Sequence, residues 1–224
     1  MYMQMFTIMQ QCAQAIINLI YPPLCSACKQ FITVQAILCQ SCDEKIKPIA
    51  SVGLSITKTK AVMVHAASNY NDPIKKMILA KLWSDSIAPV HLADIIWQRT
   101  VIKYLTFDVL IPVPAHWYRT MRRGFNQAEL IAQQLSKHSG KPILLAVKRV
   151  KSTRFQSSLE ATQRQENVSG VFTMSGTYKQ LLEGKHLLIV DDLLTTGATI
   201  QEIAKELYKA KPASITVVVA ARAV

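Results

Sequence analysis

Residues 187–199 read Leu-Leu-Ile-Val-Asp-Asp-Leu-Leu-Thr-Thr-Gly-Ala-Thr, an apolar run, two adjacent acids, and then small hydroxyl residues around one glycine. An apolar run of that length predicts a buried strand over 187–190, which delivers Asp191 and Asp192 to a sheet edge. The Thr/Gly segment predicts a turn into a helix start, where free backbone N–H groups and the helix dipole favour an anion. Thr195, Thr196 and Thr199 can add hydroxyl donors, and Gly197 lets the backbone approach a phosphate closely. The acids suit ribose hydroxyls or a magnesium ion. An apolar strand ending in acids also resembles a Walker B element, but that requires a G-x-x-x-x-G-K-[ST] loop, which the chain lacks. Gly184-Lys185 is followed by His186 and has no upstream glycine. An ordinary strand, turn and helix cap accounts for Thr and Gly, but not for two acids at a strand end.

Four of the five cysteines form two pairs, Cys25-Ser-Ala-Cys28 and Cys39-Gln-Ser-Cys42. Each C-x-x-C lets a tight turn present two sulfurs to one ion, and residues 29–38 are long enough for a small hairpin that brings the pairs together. Four thiolates fit a structural zinc ion with no open coordination position. A redox dithiol needs only one pair, and two disulfides need an oxidising compartment that nothing else in the chain supports. Cys12 lies outside this pattern, on an apolar helix face, and reads as a small buried hydrophobe.

The chain has 224 residues, is 50% apolar and carries a formal net charge of +12. Its length suits one ordinary domain plus a small appendage, and its composition excludes global disorder. Four thiolates with one zinc ion would lower the charge to about +10. That sign favours anionic partners such as nucleic acid, phosphorylated metabolites or anionic lipid, or serves solubility alone. Residues 1–20 are apolar but interrupted by Gln4, Gln10, Gln11, Gln14 and Asn18, and lack a signal peptide's basic start and cleavage site. Helical spacing of Met5, Ile8, Met9, Cys12, Ile16, Leu19 and Ile20 predicts a short amphipathic helix, for packing or for membrane contact, without stable membrane insertion. The expected compartment is the cytoplasm.

The elements that must position these residues alternate. Strands are predicted at 61–67, 108–113, 143–147, 187–190 and 214–220, with helices at 72–82, 87–104, 126–136 and 197–210. Pro73 falls in a first helical turn, and Asn126 with Glu129 makes a capping-box-like start. The expected organisation is an N-terminal helix at 1–20, a zinc-ribbon module at 21–50 and an α/β domain at 51–224, with 48–55 as linker. Apolar strands between amphipathic helices indicate a parallel sheet covered on both faces, which binds ligands at the carboxyl ends of its strands. That rule selects the loops at 114–125, 149–167 and 191–199. Arg119, Arg122, Arg123, Arg149, Lys151, Arg154 and Arg164 fall on or beside them, interleaved with Trp117, Tyr118, Phe125 and Phe155. Such a mixture suits a departing diphosphate or the backbone and bases of a single strand, or is simply solvated. Lys75, Lys76 and Lys81 share one predicted helix. Among the histidines only His116, near Pro114, falls close to a site loop.

The segment Asp191–Thr199 resembles the PRPP-binding motif of type I phosphoribosyltransferases. The four-cysteine module, Ile111-Pro112-Val113-Pro114 with Arg119, the run Arg123-Gly124-Phe125-Asn126-Gln127-Ala128-Glu129-Leu130, Gln156, and Arg164 with Asn167-Val168 narrow the resemblance to the competence protein F family. The resemblance covers nearly the whole chain in order. It implies a type I phosphoribosyltransferase α/β fold, a parallel sheet flanked by helices, behind a small zinc ribbon. It implies Asp191 and Asp192 as a catalytic pair facing the ribose hydroxyls. It implies Thr195, Thr196, Gly197, Ala198 and Thr199 around the 5-phosphate, and Arg119, Arg122 and Arg123 near the diphosphate. Zinc would be structural and magnesium would travel with PRPP. Family members are associated with natural transformation, handling incoming single-stranded DNA with helicase-type partners. Two functions are compatible with these residues: a magnesium-dependent phosphoribosyltransferase, or a DNA-handling protein that keeps the PRPP pocket.

Overall fold

The computed structural model describes Phe6 and residues 22–32, 36–80, 87–115, 124–150 and 170–223. Apart from Phe6, the predicted N-terminal helix lies outside these residues, as does Cys12. Its main sheet has five strands: β1 (Val52–Ser55), β2 (Ala61–Asn69), β3 (Val109–Pro112), β6 (His186–Leu194) and β7 (Ser214–Arg222), in the order β1-β2-β7-β6-β3. β1 pairs antiparallel to β2, and every other pairing is parallel. The α-helices whose bounds fall among the described residues are α1 (Gln40–Asp43), α2 (Ile74–Ala80), α3 (Ile87–Arg99), α4 (Gln127–Ser139), α5 (Gly176–Leu182) and α6 (Ala198–Tyr208). β4 (Val147–Arg149) and β5 (Phe172–Met174) form a separate antiparallel pair.

Parallel strands covered on both faces must be apolar along their length. All four residues of β3 are buried, as are Leu187, Leu188, Ile189 and Val190 of β6. One core joins Ile189, Val217 and Val219 to Ile200, Ile203 and Leu207 of α6 and to Val147 and Phe172 of the small hairpin. The other joins Leu188, Val190 and Val218 to α2, α3 and α4, and includes Cys25, Ile32, Leu38, Cys42 and Ile46. The cysteine module therefore shares its core with α2 and α3.

Several boundaries differ from the sequence expectation, each for a local reason. β6 continues to Leu194 because β7 beside it is as long, so Asp191 pairs with Val219 and Leu194 with Arg222. The acids are the sixth and seventh residues of a nine-residue strand, not residues beyond it. α3 stops at Arg99, where the buried Thr100 hydroxyl donates to the Ile96 carbonyl (2.8 Å) and accepts from the Ile102 N–H (3.4 Å). That local bonding turns the chain into a 3-10 helix over Val101–Tyr104. Ile143 makes only an isolated bridge to Leu110, and the strand follows at 147–149. Pro73 precedes α2 rather than opening it. Half of the expected linker, Val52–Ser55, is strand β1.

α4 starts as its residues predict. The Asn126 side-chain oxygen accepts from the Ala128 N–H (3.1 Å), while its amide donates to Glu129 Oε1 (2.9 Å) and to the Val113 carbonyl (3.0 Å). Glu129 thus bonds the capping side chain, whereas a capping box would bond the backbone. Asn126 ties the helix start to the end of β3. Asn126→Ala removes all three bonds at a buried position and is expected to destabilise the protein by about 2 kcal/mol in urea unfolding; a change within experimental error would show that the cap is not anchoring β3.

Candidate functional site

The four-cysteine module is built from two knuckles. In the first, Lys29 N–H donates to the Cys25 carbonyl (2.9 Å) and Cys25 N–H to Gln30 (2.8 Å). Lys29 takes a positive φ of 61° to close that turn. In the second, the N–H groups of Cys42 and Asp43 both donate to the Cys39 carbonyl, opening α1. The Sγ atoms of Cys25, Cys28, Cys39 and Cys42 all lie within 4.8 Å of one another, and those of Cys28 and Cys39 are 3.7 Å apart. Sulfurs bound tetrahedrally to zinc at about 2.3 Å stand about 3.8 Å apart, so this set fits the ion.

The thiols are not equivalent. A hydrogen bond from Ser41, helped by the Cys42 backbone, holds Cys39 down to about 6. Burial pushes Cys42 up to about 12, with the neighbouring cysteines adding to it. Cys25 is lowered: its burial works the other way, but backbone donors of Cys28, Cys39 and Ala27 outweigh it. The module is fastened to α3 at two points. Ser26 Oγ lies 2.5 Å from His91 Nδ1, and Arg99 donates to the Asp43 carboxylate at 2.5 Å. Because Cys25 and Cys42 belong to the helix-side core, metal loss should be felt beyond the ribbon. Elemental analysis is expected to find about one zinc per chain, and chelation to lower the thermal midpoint by about 5 °C or more. Exchanging exposed Cys28 for Ser should reproduce that loss without opening the core; an unchanged midpoint after complete metal removal would refute the structural role.

The second candidate site is the carboxyl edge of the sheet. There β6 brings up Asp191 and Asp192, both partly exposed, and the Asp192 N–H donates to Asp191 Oδ1 (2.8 Å). Thr195 and Thr196 follow as exposed residues, Gly197 and Ala198 are buried and Thr199 is partly buried; the Thr196 hydroxyl accepts from the Ala198 N–H at 3.5 Å. Gly197 is left-handed (φ 80°, ψ −3°) and forms the N-cap of α6 without any side-chain capping bond. The first turn of an eleven-residue helix therefore presents backbone N–H groups beside two threonine hydroxyls and, a few residues back, an acid pair. The arrangement can accept a phosphate at the turn and hydroxyl groups or a hard cation at the carboxylates.

The β3 end continues along this edge, with Val113 N–H donating to the Val190 carbonyl (2.9 Å). Two polar side chains of the same edge are left with unmet hydrogen-bonding capacity. Asn69 Oδ1, at the end of β2, and both amide atoms of Gln127, in the first turn of α4, are buried without a hydrogen-bond partner. Gln127 lies in the Arg123–Leu130 run quoted for the family resemblance, whereas no sequence signal marks Asn69, because only burial gives an amide that status.

Arg119, Arg122, Arg123, His116, Trp117, Tyr118, Lys151, Arg154, Phe155, Gln156, Arg164, Asn167, Val168 and Lys81 lie outside the described residues. Arg149 is the last residue of β4, with its guanidinium over the Phe172 ring (5.5 Å), so it belongs to the hairpin and not to an overhanging loop. Lys75 lies over Tyr70 and Lys76 pairs with Asp72 (3.1 Å). His65, His91, His138 and His186 face Ser51, Ser26, Asp94 and Ser214 respectively. Among the described residues no helix is long and apolar enough to cross a membrane.

Comparison with known proteins gives both parts a family. Residues 120–223 match the phosphoribosyl transferase domain, and residues 16–52 the double zinc ribbon domain. Competence protein F of Haemophilus influenzae is 42% identical over 103 residues, which is 46% of this chain and 44% of that protein. Competence protein ComFC of Bacillus subtilis is 35% identical over 48% of this chain and 42% of that one. These two matches span less than half of either relative. DNA utilization protein YhgH of Salmonella typhimurium is 27% identical over 87% of this chain and 88% of its own length. Among solved structures, adenine phosphoribosyltransferase from Thermoanaerobacter pseudethanolicus is 16% identical over 82% of this chain and 98% of that chain, with a TM-score of 0.39. With a mostly parallel sheet flanked by helices and a four-cysteine ribbon ahead of it, the chain is a homologue of proteins named competence protein F, ComFC and YhgH and carries a type I phosphoribosyl transferase fold.

Proposed function

We propose that this chain binds PRPP with magnesium at the carboxyl edge of its sheet and works in the cytoplasm in the handling of incoming single-stranded DNA, with helicase-type partners. The observation that carries the ligand is the junction of β6 and α6. A phosphoribosyl group needs an anion site and a hydroxyl-binding site a few ångströms apart. The exposed Thr195 and Thr196 before the left-handed turn at Gly197 supply the first, and Asp191 and Asp192 the second. Ala198 and Thr199 extend the anion site along the first turn of α6. The carboxylates are hard oxygen donors on partly exposed residues, a set that suits magnesium. Magnesium bound with the diphosphate supplies neutralisation of its charge.

The DNA role rests on relatives named for competence and DNA utilization, together with the net charge of +12. Arg119, Arg122 and Arg123 are proposed as the basic group near the diphosphate. A catalytic variant of the proposal has the same site transfer the phosphoribosyl group to a nucleophilic acceptor and release pyrophosphate. There the residues would orient the ribose and stabilise charge without forming a covalent bond. The match to a phosphoribosyl transferase domain and the intact acid-to-threonine segment favour keeping that variant beside the first.

Calorimetric titration of zinc-loaded protein with PRPP and magnesium should give binding that Asp191→Asn/Asp192→Asn weakens by at least about tenfold. Absence of binding by the unsubstituted protein would remove the ligand from the proposal. Fluorescence anisotropy with a labelled single strand should give an affinity that falls linearly in log–log form as salt rises. An affinity indifferent to salt would remove the direct DNA contact.

A further inference from the structure

The glycine of the phosphate turn answers to a residue from the other end of the chain. A Cβ built on Gly197 would lie 2.7 Å from Leu54 Cδ1 and 3.0 Å from Leu54 Cδ2. Leu54 thus occupies the space a side chain at 197 would need. It is a partly buried residue of β1, the edge strand that leads out of the cysteine module. A second contact grips the same turn: Gln201 Nε2 donates to the Ser55 carbonyl (2.9 Å), while the Gln201 N–H donates to the Gly197 carbonyl (2.9 Å). β1 is itself held by its register with β2, Val52 against Val64 through Ser55 against Ala61. Ahead of it, the Arg222 guanidinium donates to the Ala50 carbonyl (3.3 Å) and Ser51 Oγ lies 2.7 Å from His65 Nδ1.

A left-handed residue at a helix start needs something to hold it, because the turn has other conformations available. The usual holder is the side chain of the N-cap residue, which glycine lacks, and the Thr196 hydroxyl accepts from the Ala198 N–H only at 3.5 Å. Leu54 packs where that turn would otherwise be open. We propose that β1 is a wall of the anion site and that Leu54 is a positioning residue, fixing Gly197 and the N–H groups of α6's first turn in the geometry a phosphate monoester needs. The ligand rests on the phosphoribosyl assignment above; the positioning does not.

The test uses full-length, zinc-loaded protein, Leu54→Ala, and the conservative Leu54→Met. Amide hydrogen exchange at residues 196–199 is expected to quicken about tenfold in Leu54→Ala, while amides of β3 and β7 keep their rates. Affinity for ribose 5-phosphate, which carries the monoester without the diphosphate, should fall by about tenfold. Leu54→Met should restore both. In a double-mutant cycle, Gly197→Ala should destabilise less in the Leu54→Ala background, because the methyl then has room. Unchanged exchange at 196–199, or exchange that rises equally throughout the sheet, would overturn the positioning role. Quickened exchange confined to the turn, in a protein that never binds ribose 5-phosphate, would uphold the role of Leu54 and overturn the phosphoribosyl assignment instead.

Discussion

Everything at the candidate ligand site depends on β6 being paired on both sides. A strand with neighbours on two edges and cores on two faces has no contact with water along its middle, so residues 187–190 must be apolar. The chain returns to solvent only where the neighbours run out, at the carboxyl edge. Placing Asp191 and Asp192 in the second half of this strand gives two carboxylates a backbone fixed by pairing with β7. A loop of the same composition would have to be ordered by the ligand itself, at an entropic cost that the strand has already met in folding. The rigidity of the acids and the apolarity of the residues before them are consequences of one constraint.

The two faces of that sheet do different things. One carries α6 and the small hairpin and holds the turn at Gly197. The other carries α2, α3 and α4 together with the buried half of the ribbon, so that Cys25 and Cys42 are at once candidate metal ligands and core residues. β1 passes from the ribbon to the α6 face and touches the turn there. The ribbon's neighbours therefore include both the helix layer and, through the chain from Ile46 to Leu54, the anion site.

Much of this was legible from the residues. Two C-x-x-C pairs allow few arrangements, and the apolar runs of β3, β6 and β7 and the Asn126 start of α4 follow from burial and capping. What was not legible has physical reasons. β1 contains Gly53 and Ser55 and follows Ser51, which dilutes a strand pattern to nothing in four residues. β4 and β5 are three residues each, and α5 opens on a glycine. The end of α3 turns on which way the Thr100 hydroxyl points. The role of Gly197 was read as allowing a phosphate close to the backbone, whereas Leu54 shows that the chain's own packing also requires it. A contact between residues so far apart in sequence leaves no trace in either neighbourhood.

The sharing of a core between ribbon and helices has a bearing on how such a chain can change over generations. Modules that meet only through a linker can be traded between genes, because each brings its own interior. Here a recombination break near residue 51 would strip Ile32, Leu38 and Ile46 from the flank of α2 and α3 and leave β1 without the chain that feeds it. The orphaned half would expose an apolar surface of the kind that seeks other copies of itself. Ribbon and sheet are thus bound to be inherited as one piece, and substitutions on either side of their seam are constrained to change together.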